Sequence, residues 1–229
     1  MTTIAEKLQR VRERVALACA GARRDVNEVT LLAVSKTFGP EAVREAFSAG
    51  QTAFGENYIQ EAVAKMELLK DLPLQWHCIG PVQSNKTRLV AAHFDWMHSV
   101  DRLKVAQRLS EHRPTHLAPL QVCIQVNIDG GSTKAGAKPE DVLALAKDVA
   151  QLPRIDLRGL MTIPEPSADF ARQKAVHERA RALFDSLRET GLELDTLSMG
   201  MTADLEAAIA AGSTMVRVGT AIFGHRPML

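Results

Sequence analysis

The sequence predicts a single (β/α)8 TIM-type barrel, an α/β fold, with one additional helix in front of it. Three observations predict this. Eight short apolar, β-rich segments recur along the chain, and a helical pattern separates each successive pair. Strict alternation of this kind demands a parallel sheet with helices outside it. The length, 229 residues, suffices for one barrel of roughly 250 residues and little more. No Pro/Gly/Ser-rich linker and no shift of composition divides the chain, so one domain over residues 1–229 is expected rather than an open doubly wound sheet.

The first helix is read from Ile4, Leu8, Val11, Val15 and Ala18, apolar at helical spacing. The period then changes. Val29 to Val34 is a β-rich run that ends in Ser35-Lys36, and Gly39-Pro40 punctuates it. Pro40 suits a helix start because its ring presets φ. Ala42, Val43, Ala46 and Phe47 form that helix's apolar face, and Gly50 ends it. Residues 53–55 lead into a helix reaching about Leu69. Residues 76–79 lead through Gly80-Pro81 into a helix from near Ser84, whose hydroxyl would cap it. Residues 96–100 precede a helix over 103–109. Residues 120–128 are the longest strand candidate; a Gly-Gly-Ser-Thr loop and Pro139 then open a helix over 142–150. Residues 155–163 precede a long helix with Val176, Leu183, Phe184 and Leu187 on one face. Residues 194–199 precede a helix over 205–211. Residues 215–223 read as the eighth strand, leaving HRPML after Gly224 for a minimal last helix.

Composition narrows the function. With 46% apolar and 24% charged residues, the chain is globular and not disordered. Lysine plus arginine (28) against aspartate plus glutamate (27) leaves a net charge of +1, so no basic excess is available for nucleic acid. The basic run from Arg10 to Arg24 interleaves with the first helix's apolar stripe and reads as a solvated face. No apolar run approaches the ~20 residues of a membrane helix. The charged start MTTIAEKLQRVRERV lacks a signal peptide's apolar core. Cys19, Cys78 and Cys123 are far apart and set in apolar stretches, as free thiols of a reducing compartment are. A cytoplasmic protein is expected. The seven histidines do not fall at ligand spacings, so no metal site is expected. His93 and His98 flank an aromatic patch and read as surface or packing residues.

In such barrels the site lies at the C-terminal ends of the strands, and phosphate often binds after strands seven and eight. Lys36 ends the first strand. Burial at the mouth would disfavour its charged form and free the amine for Schiff-base formation; equally, the side chain has simply emerged into solvent. Ser198-Met199-Gly200 offers a hydroxyl and backbone N–H groups where strand seven turns towards a helix, with Thr202 as its N-cap. Gly219-Thr220 offers a second such turn one strand away. Arg217 lies inside strand eight, where a charge is costly unless paired, with Glu56 or with a ligand. Pyridoxal phosphate would explain all three features: an amine for its aldehyde, a phosphate cup, and a cation beside its ring nitrogen. An arginine there disfavours protonation of that nitrogen and makes the ring a weaker electron sink.

Several segments resemble the pyridoxal phosphate homeostasis protein family: AVSK at 33–36, FGENYIQE at 54–61, WHCIGPVQSNK at 76–86, LRGLM at 157–161, SMGMT at 198–202 and STMVRVGTAIFG at 213–224. The resemblance runs from about residue 4 to 225. It implies a barrel like that of alanine racemase, the type III fold of pyridoxal phosphate proteins. It implies Lys36 as the Schiff-base lysine and Arg217 as the partner of the pyridine nitrogen. Ser198, Met199, Gly219 and Thr220 are implied as phosphate contacts, and Asn57 as lying at the cofactor's edge. It further implies a carrier or reservoir acting in vitamin B6 and amino-acid homeostasis, with no established catalytic reaction. Apo enzymes that use the cofactor would be the recipients. Thr202-Ala203 depart from the serine and acidic residue frequent at these positions, and the loop IDGGSTKAG is short and glycine-rich.

Three rival readings compete on the residues. A racemase-like enzyme needs a second acid/base opposite the lysine. Tyr58 follows strand two with nothing to place it there, and His77 reads rather as a packed, hydrogen-bonded histidine of strand three. Without the extra β-domain of racemases a monomer is expected. A nucleotide binder would use Gly80 to Thr87 as a phosphate loop, but Asn85 stands where the second glycine belongs and Pro81 removes an N–H donor. A purely structural protein leaves Lys36, Arg217 and both turns unexplained.

Overall fold

The computed structural model describes residues 2–131 and 135–224. Ser132 and Thr133 of the glycine-rich loop, and the HRPML tail, lie outside the described residues. Eight parallel strands close into a barrel in chain order: β1 (Thr30–Val34), β2 (Ala53–Glu56), β3 (Gln75–Cys78), β4 (Trp96–Val100), β5 (Leu120–Val126), β6 (Ile155–Thr162), β7 (Thr196–Ser198) and β8 (Met215–Val218). Closure is made by β1 against β8, in register from Thr30 opposite Met215 to Ala33 opposite Val218. Outside run α1 (Ile4–Gly21), α2 (Pro40–Ser48), α3 (Ile59–Glu67), α4 (Thr87–His93), α5 (Leu103–His112), α6 (Val142–Ala150), α7 (Phe170–Glu189), α8 (Leu205–Ala210) and α9 (Thr220–Phe223).

Helix α1 starts at a capping box, in which Thr3 accepts from the N–H of Glu6 and the Glu6 carboxylate accepts from that of Thr3. It buries Leu8, Val11, Val15 and Cys19 and packs against α2, α8 and α9. Sequence made it an addition to the barrel. Its position gives it a barrel role: α9 is a single turn, and α1 covers the flank an eighth full helix would occupy.

Three boundaries differ from expectation. The eighth strand stops at Val218, and residues 220–223 are helical. Its ladder with β1 ends there, and an apolar run as short as TAIF fits strand and helix equally well. Helix α4 begins at Thr87, not near Ser84; the Ser84 carbonyl accepts from the Thr87 hydroxyl instead of the Ser84 side chain capping the helix. Thr202 does not cap α8, whose first residue follows Asp204.

The barrel interior is mixed. Leu32, Ala53 and Met215 pack with Ile79, and Trp96 packs with Cys123 and Met161. Between these clusters lie His77, His98, Ser198 and Arg217, all buried.

Candidate functional site

Alternation along a strand sends every second side chain to the same face. The face that turns Leu32 and Val34 inward on β1 also delivers Lys36. The same parity brings Asn57 after β2, Ile79 after β3, Ile163 after β6 and Arg217 within β8 to one level. These residues line a cavity of about 570 Å³ at the C-terminal mouth, whose rim is completed by Met201, Thr202, Ala203, Gly219 and Thr220.

Lys36 is exposed at this mouth, so of the two readings left open for it the side chain has emerged into solvent. Its neighbours are fixed from behind the strand. The Ser35 hydroxyl donates to Glu56 Oε1 at 2.6 Å, and Lys65 Nζ donates to the same oxygen at 2.7 Å and to the Ser35 carbonyl at 3.0 Å. Glu56 and Lys65 are 0% and 4% exposed. Burial pushes the Glu56 carboxyl up, against the pull of Lys65 and Ser35. Asn57 stands half-buried beside Lys36, and its Oδ1 has no hydrogen-bond partner among the described residues.

Arg217 does not pair with Glu56. Its Nη1 donates to the carbonyl and to the hydroxyl of Ser198, both at 2.8 Å, and its Nη2 donates to the Thr162 carbonyl at 2.9 Å. Burial pulls its pKa down to about 10, which leaves it charged near neutrality. A guanidinium only donates, so Ser198 Oγ accepts here and is free to pass its own proton onward. It lies 3.0 Å from His98 Nδ1; His98 Nε2 lies 2.9 Å from His77 Nδ1; His77 Nε2 lies 3.0 Å from Gln75 Oε1. One orientation satisfies every link: Ser198 donates to His98, His98 to His77, and His77 to Gln75. Both histidines are then neutral and protonated on Nε2. Burial depresses both, His77 to about 3. His77 stacks on Trp96 with ring centroids 5.1 Å apart, as the packed-histidine reading expects, and His98 is its partner inside the barrel.

The two predicted phosphate turns fare differently. Gly219 and Thr220 line the cavity, where the first turn of α9 presents N–H groups that have no intrahelical acceptor. A Cβ on Gly219 would meet the Val34 carbonyl oxygen at 3.1 Å, so this turn is seated on β1. Ser198 and Met199 do not line the cavity. Ser198 carries Arg217, and Met199 is 0% exposed, with its N–H spent on the Met215 carbonyl. The rim is reached two residues later, at Met201, and runs on through Thr202-Ala203. That turn is braced by Asp204, whose Oδ1 accepts the Met201 N–H at 2.7 Å while its Oδ2 lies 2.9 Å from His177 Nε2.

The rival loop at Gly80 serves packing. A Cβ there would overlap the Asn57 carbonyl oxygen, so glycine lets the β3 loop pass against the β2 loop. Tyr58 is exposed and lines the cavity. Among the described residues no group of three metal-ligating side chains occurs, and no helix is long and apolar enough to cross a membrane. Sequence reasoning missed Glu56–Lys65, His98 and His177–Asp204 as parts of the site. Strand parity carried a signal for one of them: His98 shares the inward face of β4 with Trp96.

The family model for the N-terminal domain of alanine racemase matches residues 7–227. The pyridoxal phosphate homeostasis protein of Pseudomonas aeruginosa is 59% identical over 226 residues, covering 99% of this chain and 97% of that one. The protein of the same name from Escherichia coli is 51% identical over 229 residues, covering 99% and 98%. PipY of Synechococcus elongatus, solved with pyridoxal phosphate bound, superposes with a TM-score of 0.85 at 39% identity, over 97% of this chain and 100% of that one. Folded as PipY is and matched along nearly its whole length by these relatives, the chain belongs to the alanine racemase N-terminal domain family and, within it, to the pyridoxal phosphate homeostasis proteins.

Proposed function

We propose that this chain, as one barrel domain in the cytoplasm, binds pyridoxal 5'-phosphate with Lys36 as the Schiff-base residue and serves as a carrier or reservoir in vitamin B6 and amino-acid homeostasis. The observation that carries the reading is the charge of the cavity. Among the described residues lining it, Lys36 and Arg217 are charged and no carboxylate is present. Such a cavity suits an anion with a carbonyl to offer the amine. The bound group supplies an aldehyde that condenses with a primary amine, releasing water.

The residues fit that ligand. Lys36 provides the amine at an open mouth. The bonds Arg217 makes leave part of its guanidinium fork for the ring nitrogen, and a donor there keeps that nitrogen unprotonated. Asn57 Oδ1 is an acceptor still to be used at the edge. Gly219, Thr220 and the turn at Thr202 offer N–H and hydroxyl donors for a phosphate. Ser198 and Met199 act beneath the ligand, one holding Arg217 and the other filling the core. The exposure of Lys36 supports exchange with other molecules over sheltered turnover, which favours a carrier that hands its cofactor to apo enzymes. Three buried free cysteines support a reducing compartment. On this reading the carrier works as a monomer.

The test is the visible absorbance of purified protein, before and after borohydride, beside a Lys36→Ala variant. The wild type shows a yellow band that reduction fixes onto the peptide holding Lys36, and the variant loses it. Colourless protein that takes up no added pyridoxal phosphate overturns the proposal.

A further inference from the structure

Lys36 sits at the first corner of a tight turn. Phe38 N–H donates to the Ser35 carbonyl at 3.1 Å, with Lys36 and Thr37 between them. Thr37 has φ +68°, whereas Lys36 is not in the positive range. A positive φ at the second corner alone marks a type II turn, and that corner favours glycine or asparagine. A β-branched residue there is strained, and such strain persists only where the surroundings over-determine it.

Helix α3 supplies that constraint. Glu61 Oε1 accepts the Thr37 N–H at 2.9 Å. One helical turn on, Lys65 Nζ donates to the Ser35 carbonyl and stands 3.5 Å from Glu61 Oε1. Phe38 is pinned in turn against Phe223, ring centroids 5.3 Å apart. Both neighbours of Lys36 are therefore held by one helix, while the Lys36 side chain reaches the cavity. The structure thus spends strain on the residue next to its candidate attachment point and spends a carboxylate to hold it there.

We propose that Glu61 is a positioning residue for Lys36. By holding the Thr37 N–H it keeps the Lys36–Thr37 peptide in its strained orientation, so the amine meets an incoming aldehyde from one fixed direction. Without it, the peptide rotates, the strain relaxes and Lys36 samples several directions. This rests on the reading of Lys36 as the Schiff-base residue.

The experiment titrates pyridoxal phosphate into cofactor-free wild type, Glu61→Ala, Glu61→Gln, Thr37→Gly and Lys36→Ala. Retention is followed in the visible band and the melting temperature of each cofactor-free protein is measured. Glu61→Ala weakens retention about tenfold, the worth of one hydrogen bond to a charged acceptor. Glu61→Gln keeps a carbonyl acceptor and stays within about threefold of wild type. Thr37→Gly separates positioning from folding. Glycine relieves the strained φ and keeps the N–H that Glu61 holds, so melting holds or rises by roughly 2 °C and retention stays within about threefold of wild type. A merely structural role predicts that retention follows melting. Glu61→Ala titrating as wild type overturns the proposal, and so does Thr37→Gly losing stability and retention in parallel. Lys36→Ala titrating as wild type overturns the underlying reading instead, and with it any role of Glu61 through Lys36.

Discussion

On the β1–β2 side of the mouth the buried polar groups are charged, Lys65 against Glu56; on the β7–β8 side the buried charge, Arg217, is bonded to neutral groups, and the Asp204 carboxylate is turned to Met201 and His177. The first network lies behind its strands, under α3, and touches the cavity only through the backbone it braces. The second lies inside the barrel and runs from Arg217 through Ser198, His98 and His77 to Gln75. The two arrangements have a common consequence. A carboxylate facing the cavity would neutralise Lys36 or Arg217 and weaken the site for an anion. The one carboxylate buried beside Lys36's strand is turned away and matched by its own lysine, and the group that holds Arg217 is a hydroxyl and two carbonyls. Positive charge is kept for the ligand on both sides, by compensation elsewhere on one and by neutrality on the other.

Removing one charge of the first network breaks the comparison most severely. Lys65→Met leaves Glu56 buried without its cation, a loss of about 3–5 kcal/mol in chemical denaturation at neutral pH. Pairing it with Glu56→Leu recovers most of that loss, because no charge is then stranded. Glu56 already has a raised pKa, so the single variant's deficit narrows as pH falls and the carboxyl takes up a proton. A deficit that ignores pH, or a double variant no better than the single, would show that the pair does not behave as a charge compensated behind the wall.

A smaller effect is expected from the neutral network. Ser198→Ala removes an acceptor from Arg217 and a donor from His98, costing about 1–3 kcal/mol. Its sharper signature is spectroscopic. Both histidines carry their proton on Nε2 in the wild type, and ring nitrogen shifts in labelled protein would record it. In Ser198→Ala the constraint at His98 Nδ1 is gone and its tautomer mixes. Wild-type rings protonated on Nδ1 would reverse the direction of the whole chain.

Much of the fold was legible because alternation of period is a local signal. Strand ends likewise exposed Lys36, Asn57 and Arg217 as residues to examine, since barrel mouths lie at known positions in the chain. What holds those residues was not legible. Glu56 and Lys65 meet across a strand and a helix, and His98 and Ser198 are 100 positions apart; neither contact leaves a spacing to read. Ser198-Met199 reads as a phosphate cup because Gly200 follows, yet the chain stays buried through Gly200 and reaches the rim only at Met201. The strain at Thr37 is invisible too: nothing in a threonine announces a positive φ.

The two walls also differ in their response to acid. His77 and His98 have folded pKa values well below the unfolded value of 6.5, His77 at about 3. Below pH 6.5 the unfolded chain binds protons that the folded one refuses. Stability from these residues is therefore complete above 6.5 and is lost as pH falls from 6.5 towards 3. By pH 5.5 the loss is roughly 1 kcal/mol per histidine. His98→Asn removes one of the two groups, so the slope of stability against pH should fall by about half in that window. An unchanged slope would assign the acid sensitivity to other groups.

The smallest effect is expected where the walls meet. Gly219 ends β8 on the neutral side and leans on Val34 of β1 on the charged side. Its φ of −115° suits any residue, so Gly219→Ala tests space and not backbone freedom. The added Cβ would lie 3.1 Å from the Val34 carbonyl oxygen and 3.3 Å from Val34 Cβ, a contact relieved by a shift of a few tenths of an ångström. Such a shift costs up to about 1 kcal/mol and a melting change of roughly 2–4 °C. It also moves the N–H groups of the α9 first turn, which have little tolerance if they hold a phosphate. Retention of pyridoxal phosphate should therefore fall more than melting does. If melting falls and retention holds, Gly219 is a seam of the barrel wall, and the phosphate end of the site belongs to the turn at Thr202.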